Sequence, residues 1–135
     1  MKNYICYFDG SCEPFNPGGT IGIGVHIQQG ENVFEYSNSL PPDKKNSNNV
    51  AEYMSAFKLL DLLRKKENVK IQIFGDSKMV VEQLTGRRKI KKGLYVPYAL
   101  KTKELYDLIV KKNEVSIHWI PREENMLADE LSKQG

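Results

Sequence analysis

The chain has 135 residues, of which 40% are hydrophobic and 27% charged, and its net charge at pH 7 is +3. This length suits one domain with a core of its own, so we expect a single domain over residues 1–135. No apolar run approaches the roughly 20 residues that a transmembrane helix requires, and the composition is that of a globular protein rather than a membrane-spanning one.

The first third of the chain is predicted to form three strands in succession. Tyr4–Asp9 is an apolar stretch that ends on a lone carboxylate and is followed directly by Gly10. Thr20–Gln28 and Asn32–Ser39 have the composition of two further strands, separated by the turn residues Gln29–Glu31. These three segments predict an antiparallel β-meander.

A helix is predicted after the loop Leu40–Lys45. Asn48 or Asn49 is the expected N-cap, since asparagine is favoured there. Apolar side chains then recur with helical spacing, at Tyr53, Ala56, Phe57, Leu60 and Leu63. The pattern predicts an amphipathic helix that ends in the cationic segment Arg64–Lys66.

The rest of the chain alternates between strand and helix patterns. A strand that returns to the same sheet through a helix lies parallel to its predecessor, so an α/β fold with a mixed sheet is expected. The predicted strands are Val69–Phe74 and Val115–Ile120, and the predicted helices are Lys78–Leu84 with Ser77 as its cap, Leu100–Lys112 and Asn125–Ser132.

The two cysteines fit no zinc-ligand spacing, and the N-terminus lacks the apolar segment of a secretory signal peptide. Free thiols suit a reducing compartment. We therefore predict a cytoplasmic protein, and we expect it to act as a monomer.

Four acidic residues lie where this topology would bring distant segments together. Asp9 ends the first predicted strand and Asp76 follows the fourth by one glycine, so both lie at carboxyl ends of strands, which are about 4.8 Å apart when neighbours. Glu52 lies in the first turn of its helix and Asp129 on the last helix. Each acid alone has an ordinary explanation in a turn, a helix end or the surface. Together they would repel one another unless cations intervene, and Mg²⁺ prefers carboxylate oxygens.

The contexts of these acids resemble the successive motifs of type 1 ribonuclease H. The resemblance covers nearly all of Tyr4–Ser132, and the family's fold implies a five-stranded mixed sheet in the order 3-2-1-4-5, flanked by helices. The matching segments are YFDGSCEPFNPGGTIGIGV, SNNVAEYMSAF, IFGDSKMVVEQL and IHWIPREENMLADELS.

The resemblance implies a catalytic and metal-binding set of Asp9, Glu52, Asp76 and Asp129. It implies two Mg²⁺ ions, for which Mn²⁺ is a possible substitute, and hydrolysis of the RNA strand of RNA–DNA hybrids to 5′-phosphate and 3′-hydroxyl ends. Asp9 and Asp129 would hold the ion that activates water. Asp9, Glu52 and Asp76 would hold the ion at the leaving oxygen.

The resemblance also implies the residues that read the substrate. The 2′-hydroxyl distinguishes RNA from DNA, and its expected readers are the backbone of Gly10, Ser11 and Cys12 and the side chains of Asn16, Asn48 and Glu52. Gly10 is expected to leave room for a nucleic-acid backbone. Ser47 and Asn49 are expected to contact the DNA strand, Ser47 at a phosphate, and Lys78 lies at a position where the family often has a polar substrate contact.

The sequence departs from some family members in two places. The loop before Asp129 contains no histidine, and Arg122 is our candidate for its catalytic or phosphate-binding role. The segment between Leu84 and Val115 is too short for the full basic protrusion of those members. The cationic run Arg87–Lys92, with Tyr95 nearby, is the candidate replacement as a phosphate-contacting patch, although such runs are also common on solvated surfaces.

Two other functions are compatible with the same fold. One is a module that binds hybrid or double-stranded RNA without cleaving it, which the presence of all four acids disfavours. The other is a nuclease of different substrate, such as an exonuclease or a transposase-like enzyme. The Gly10–Ser11 and Ser47–Asn49 segments favour the recognition of hybrids instead.

Overall fold

A computed structural model describes residues 1–134. The helices are α1 (Asn48–Leu62), α2 (Lys78–Leu84), α3 (Val96–Lys112) and α4 (Met126–Gln134), and a short 3-10 helix covers Arg122–Glu124. The strands are β1 (Asn3–Glu13), β2 (Thr20–Gln29), β3 (Asn32–Leu40), β4 (Lys70–Gly75) and β5 (Glu114–Trp119). Within the described residues, no helix is both long and apolar enough to cross a membrane.

The five strands form one mixed sheet in the order β3-β2-β1-β4-β5, which confirms the predicted order. The meander β1-β2-β3 is antiparallel, whereas β4 runs parallel to both β1 and β5. The neighbouring strands β1 and β4 therefore end at the same edge of the sheet.

Helices cover both faces of this sheet. The α1 backbone packs against Gly10 of β1, and the α4 backbone packs against Gly24 of β2. Gly24 pairs with Asp9, the neighbour of Gly10, so α1 and α4 lie on opposite faces because successive residues of a strand alternate between faces. The main core lies on the α1 side, where Phe8 and Ile73 pack against Leu59 and Leu60.

Three predicted boundaries are wrong. β1 does not stop at Asp9: its pairing with β4 ends at Phe8, but its pairing with β2 continues to Glu13. The N-cap of α1 is Ser47 rather than an asparagine, and its hydroxyl accepts a hydrogen bond from the amide of Val50 at 3.1 Å. α3 begins at Val96, because the proline that follows fits a first helical turn.

Candidate active site

Three acids from three different elements meet at the edge of the sheet. Asp9 is the first residue of β1 beyond its pairing with β4, and Asp76 is the first residue after β4. Glu52 extends from the first turns of α1. One carboxylate oxygen from each lies within 4.8 Å of the others, a spacing that suits ligands of one hard divalent cation.

Glu52 is held by the backbone of β1. Its Oε1 atom accepts a hydrogen bond from the Gly10 amide at 2.6 Å. Its Oε2 atom is buried and has no hydrogen-bond partner among residues 1–134. A buried carboxylate oxygen without a partner is costly unless a cation binds it, so this atom fits a metal ligand.

The structure gives a different reason for Gly10 from the expected one. A Cβ atom at this position would overlap the backbone of Ala51 and the amide nitrogen of Glu52. Glycine therefore allows α1 to approach β1 closely enough for the Glu52 carboxylate to reach the Gly10 amide. The expectation that Gly10 also makes room for a nucleic-acid backbone stays a prediction.

Asp9 is buried and fixed through its own backbone. The hydroxyl of Ser55, which is fully buried on α1, donates to the Asp9 carbonyl at 2.6 Å. The pKa of Asp9 is raised to about 7, mainly by burial and also by the nearby charges of Asp76 and Asp129, while the interaction with the Glu52 side chain lowers it. A carboxylate whose pKa is raised by burial and by neighbouring negative charges is typical of functional sites.

The other two acids of the cluster are shifted in the same direction. Burial, followed by the charge of Asp9, raises the pKa of Glu52 well above its usual range. Burial also raises the pKa of Asp76, although a hydrogen bond from Asn125 and the charge of Arg122 oppose the shift. A bound divalent cation would favour the ionised form of all three acids.

Asp129 lies beside this cluster rather than within it. Its carboxylate is near enough to Asp9 to raise the pKa of that residue, but it is not one of the three acids that share the 4.8 Å spacing. Instead Asp129 pairs with the Arg122 guanidinium at 3.4 Å and with the Lys133 ammonium at 3.7 Å. Each of the two Asp129 carboxylate oxygens therefore has a cationic partner.

Asn125 is a site residue that the sequence reasoning missed. Its side-chain amide donates to the carbonyl of Phe8 at 2.9 Å and to Oδ2 of Asp76 at 3.3 Å, so it links β1 to the Asp76 carboxylate. The residue is 1% exposed. The signal in the sequence is an asparagine at the start of the terminal helix, which by itself predicts only a helix boundary.

The indole of Trp119 provides a second link that was not predicted. Its Nε1–H donates to the carbonyl of Asp76 at 3.2 Å, although half of the side chain is exposed. Trp119 is the last residue of β5, so this bond ties the turn after β4 to the neighbouring strand. The backbone of Asp76 is thereby held from the side opposite β1.

The predicted 2′-hydroxyl readers form a connected hydrogen-bond chain. Asn48 Oδ1 accepts from the Cys12 amide at 3.1 Å, and Asn16 Oδ1 accepts from the Asn48 amide at 3.0 Å. The loop after β1 is thus fastened to the N-terminus of α1. Ser47, the α1 cap, lies next to this chain.

A cleft of about 290 Å³ opens over the three acids and is also lined by Cys12, Asn48 and Arg122. Ser11 borders the cleft, and its hydroxyl donates to the Ser132 carbonyl at 3.3 Å. The side chains of Asn49 and Lys78 are exposed near it, at the starts of α1 and α2. The structure therefore brings most of the predicted residues to one cleft, and their individual roles stay predictions.

A family model and curated relatives both match this chain over most of its length. Residues 7–135 match the family model described as reverse transcriptase-like. The bifunctional protein Rv2228c of Mycobacterium tuberculosis is 31% identical over 124 residues, which cover 89% of this chain and 32% of that protein. The chain therefore spans about a third of the length of the curated relatives it matches.

Two solved structures show the same fold at higher coverage. The N-terminal RNase H domain of Rv2228c has 27% sequence identity and a TM-score of 0.79, over 98% of this chain and 91% of that chain. LC11-RNase H1, isolated from compost by a metagenomic approach and solved in complex with an RNA/DNA hybrid, has 30% identity and a TM-score of 0.82, over 98% and 95% of the two chains. With a family match over nearly its whole length and this fold around an acidic cleft, the chain belongs to the reverse transcriptase-like family and has the fold of type 1 ribonuclease H domains.

Proposed function

We propose that this enzyme hydrolyses the RNA strand of RNA–DNA hybrids with two Mg²⁺ ions and leaves 5′-phosphate and 3′-hydroxyl ends. The observation that supports this most directly is the convergence of Asp9, Glu52 and Asp76 within 4.8 Å, at the floor of an open cleft. The hybrid bound by the LC11 neighbour supports the substrate class. That the protein is cytoplasmic and monomeric stays a prediction.

The donor set fits divalent cations. Asp9, Glu52 and Asp76 would hold one ion, and Asp9 with Asp129 would hold the other. The bound ions supply an activated water and charge stabilisation at the scissile phosphate. The protein's own contribution is to keep these carboxylates oriented, close together and partly shielded from water.

Recognition of RNA is assigned to the loop that is fastened to α1. Asn48 uses Oδ1 and its backbone amide within the described chain, which leaves its side-chain amide group available to a ribose hydroxyl. Asn16 likewise uses only its oxygen. Because these two amides are held by hydrogen bonds on their other atoms, they would meet a 2′-hydroxyl with little loss of side-chain freedom.

Cations around the cleft would bind the phosphates. Arg122 lines the cleft with an exposed side chain and pairs with Asp129 at 3.4 Å, so it can turn towards a phosphate when a metal ion replaces it at that acid. Lys78, Ser47 and Asn49 lie at helix starts, where backbone amides and the helix dipole also favour anions.

The proposal is tested with a hybrid whose RNA strand is labelled at one end. We expect Mg²⁺-dependent cleavage of the hybrid, 5′-phosphate and 3′-hydroxyl product ends, and at least about 100-fold weaker cleavage of duplex DNA and of single-stranded RNA. Equal or faster cleavage of DNA would overturn the substrate assignment. Cleavage that survives chelation of all divalent ions would overturn the metal mechanism.

Asp9→Asn tests the acid cluster in the same assay. The change keeps the shape of the side chain but removes a charge that binds cations, so we expect cleavage to fall by about 1,000-fold or more. Asp107→Asn is the matched control, since Asp107 is an exposed acid on α3 that pairs only with Lys103 among the described residues. Undiminished cleavage by Asp9→Asn would exclude the proposed mechanism.

A further inference from the structure

A buried polar network lies beneath the cationic loop Arg87–Lys92. At its centre is Gln83 of α2, which is 2% exposed. Its Oε1 atom accepts from the Tyr53 hydroxyl at 2.5 Å, and its Nε2 atom donates to the Lys89 carbonyl at 3.0 Å and to the Tyr95 hydroxyl at 3.2 Å. Both hydrogens of this amide and its oxygen are therefore engaged.

Tyr95 holds the loop at a second point. Its hydroxyl accepts from the backbone amide of Lys91 at 3.2 Å, and its ring stacks on Tyr53 with centroids 5.9 Å apart and an interplanar angle of 8°. Tyr53 is fully buried on α1, beside the cluster residue Glu52. The loop backbone is thus bonded at Lys89 and Lys91 to side chains anchored in the core.

The cationic side chains of this loop point outward as a concentration of positive charge. The loop contains five exposed cations, namely Arg87, Arg88, Lys89, Lys91 and Lys92. Arg88 pairs with Glu82 at 2.5 Å, whereas the three lysines make no ion pair within the described residues 1–134. Three cations held close together without an anionic partner suit a polyanion.

The position of the loop relative to the cleft is fixed by α2. This helix starts directly after Ser77, next to Asp76, and the loop follows its C-terminus. Seven helical residues span about 10 Å, which corresponds to roughly three base pairs along a duplex axis. The lysines therefore lie within reach of the backbone phosphates of a duplex seated over the acids.

We infer that Gln83 and Tyr95 are positioning residues that pre-order the three lysines as a phosphate-binding surface for the duplex. The inference rests on the proposed function. Without the two anchors, the loop would have to be ordered each time a duplex binds, and that ordering would reduce affinity. The chemistry at the acids would be unchanged once substrate is bound.

Tyr95→Phe tests this inference, since it removes the hydroxyl but keeps the stacked ring. We expect KM for the hybrid to rise by about three- to tenfold, which is the effect of one or two lost hydrogen bonds. We expect kcat to stay within about twofold of the wild type, because the acids are unchanged once substrate is bound. Tyr106→Phe is the matched control. Tyr106 lies on α3 and is 8% exposed like Tyr95, but its hydroxyl makes no hydrogen bond with residues 1–134. The control should leave both constants unchanged.

A variant that lacks the three lysines distinguishes a loss of positioning from general destabilisation. Lys89, Lys91 and Lys92 are replaced together by Gln, which should raise KM and lower the salt dependence of kcat/KM by about one unit per lost phosphate contact. In this background Tyr95→Phe should change KM by less than about 1.5-fold, because the three lysines that the anchors position are absent. An equal rise of KM in both backgrounds overturns the inference, and so does an unchanged KM in the original one.

Gln83→Met gives an independent check, because it removes the hydrogen bonds to the Lys89 carbonyl of the loop and to the Tyr95 hydroxyl while keeping the side-chain length. It should raise KM in the lysine-containing background and not in the Gln-substituted one, and the opposite pattern contradicts the inference. Failure of the proposed function is recognised separately. In that case the wild-type enzyme itself would not cleave the hybrid, whereas failure of the inference leaves wild-type cleavage intact.

Discussion

At the residue scale, the side chains around the cleft are held mainly through backbone atoms. Glu52 accepts from the Gly10 amide, Asn48 accepts from the Cys12 amide, and Ser55 donates to the Asp9 carbonyl. Backbone atoms in a sheet move little, so these bonds fix the side chains more firmly than bonds between exposed side chains would. The arrangement keeps the acids together before any cation binds, which is the preorganisation that metal-dependent catalysis requires.

Asn125→Ala tests this reasoning where one side chain holds both backbone and acid. The change removes the bonds to the Phe8 carbonyl and to the Asp76 carboxylate. We expect the free energy of unfolding to fall by about 1–3 kcal/mol, since a buried acceptor loses its partner. We also expect kcat to fall by about 10- to 100-fold, because Asp76 loses its orientation.

Asn113→Ala is the control for that change. Asn113 is bonded to the Val69 amide and to the carbonyls of Lys66 and Ile109, on elements away from the cleft. It should lose a similar amount of stability by chemical denaturation, with kcat on the hybrid unchanged. If the two variants have the same kcat, Asn125 has only a structural role.

The four acids could be selected from the sequence because each lies in a motif of its own, but their geometry could not. Nothing in a single sequence indicates that Asp129 is paired with Arg122 and Lys133 while the other three acids share one spacing. Asn125 was missed for a related reason. Its partners, Phe8 and Asp76, are 117 and 49 residues away in the chain.

At the element scale, the site depends on the point at which β1 stops pairing with β4 while it still pairs with β2. Pairing with β4 ends at Phe8, but pairing with β2 continues through Glu13. Asp9 and Gly10 therefore pair with β2 only. Their other edge is open, and there the Gly10 amide bonds to Glu52 of α1. The sequence predicted a strand end here because Gly10–Glu13 has weak strand propensity, and pairing with β2 overrides that propensity.

Gly10→Ala tests the close approach of α1 to that open edge. The added methyl group would overlap the backbone of Ala51 and Glu52, so α1 must shift. We expect a loss of about 1–3 kcal/mol of unfolding free energy and a fall in kcat of about 10-fold or more, because Glu52 moves away from the other acids.

Gly30→Ala is the comparison for that substitution. Gly30 lies in the β2–β3 turn at φ +60°, with open space around its α-carbon, so alanine there costs about 1–2 kcal/mol of backbone strain. Its kcat should equal that of the wild type. Full cleavage activity in Gly10→Ala would show that the position of α1 is not critical for the acids.

At the scale of the whole molecule, charge is unevenly distributed. The chain has a net charge of +3, yet its cleft concentrates acids whose pKa values are raised by burial, and a cationic loop lies at the far end of α2. A duplex polyanion would meet the cations, while divalent ions would offset the acids beneath its scissile phosphate. Binding of metal and binding of duplex are therefore expected to support each other electrostatically.

The stability of the whole protein should consequently depend on pH in the absence of metal. Because burial raises the pKa of Asp9 to about 7, from about 4 in an unfolded chain, the folded state keeps a proton that the unfolded state releases. The stabilising effect of that proton is complete below about pH 4 and is lost as the pH rises through about 7. We expect the metal-free protein to lose at most about 4 kcal/mol from this group between those limits.

The measurement is chemical denaturation of the wild type and of Asp9→Asn at a series of pH values with a chelator present. Asparagine does not titrate, so the stability of the variant relative to the wild type should increase from pH 5 to pH 8, and the sign follows from the raised pKa of Asp9. Saturating Mg²⁺ at pH 8 should remove most of this advantage, because a cation bound to the ionised acids stabilises the wild type by mass action. A difference between the two proteins that does not change with pH, or that Mg²⁺ leaves untouched, would mean that the acids at this edge do not form a strained anionic site.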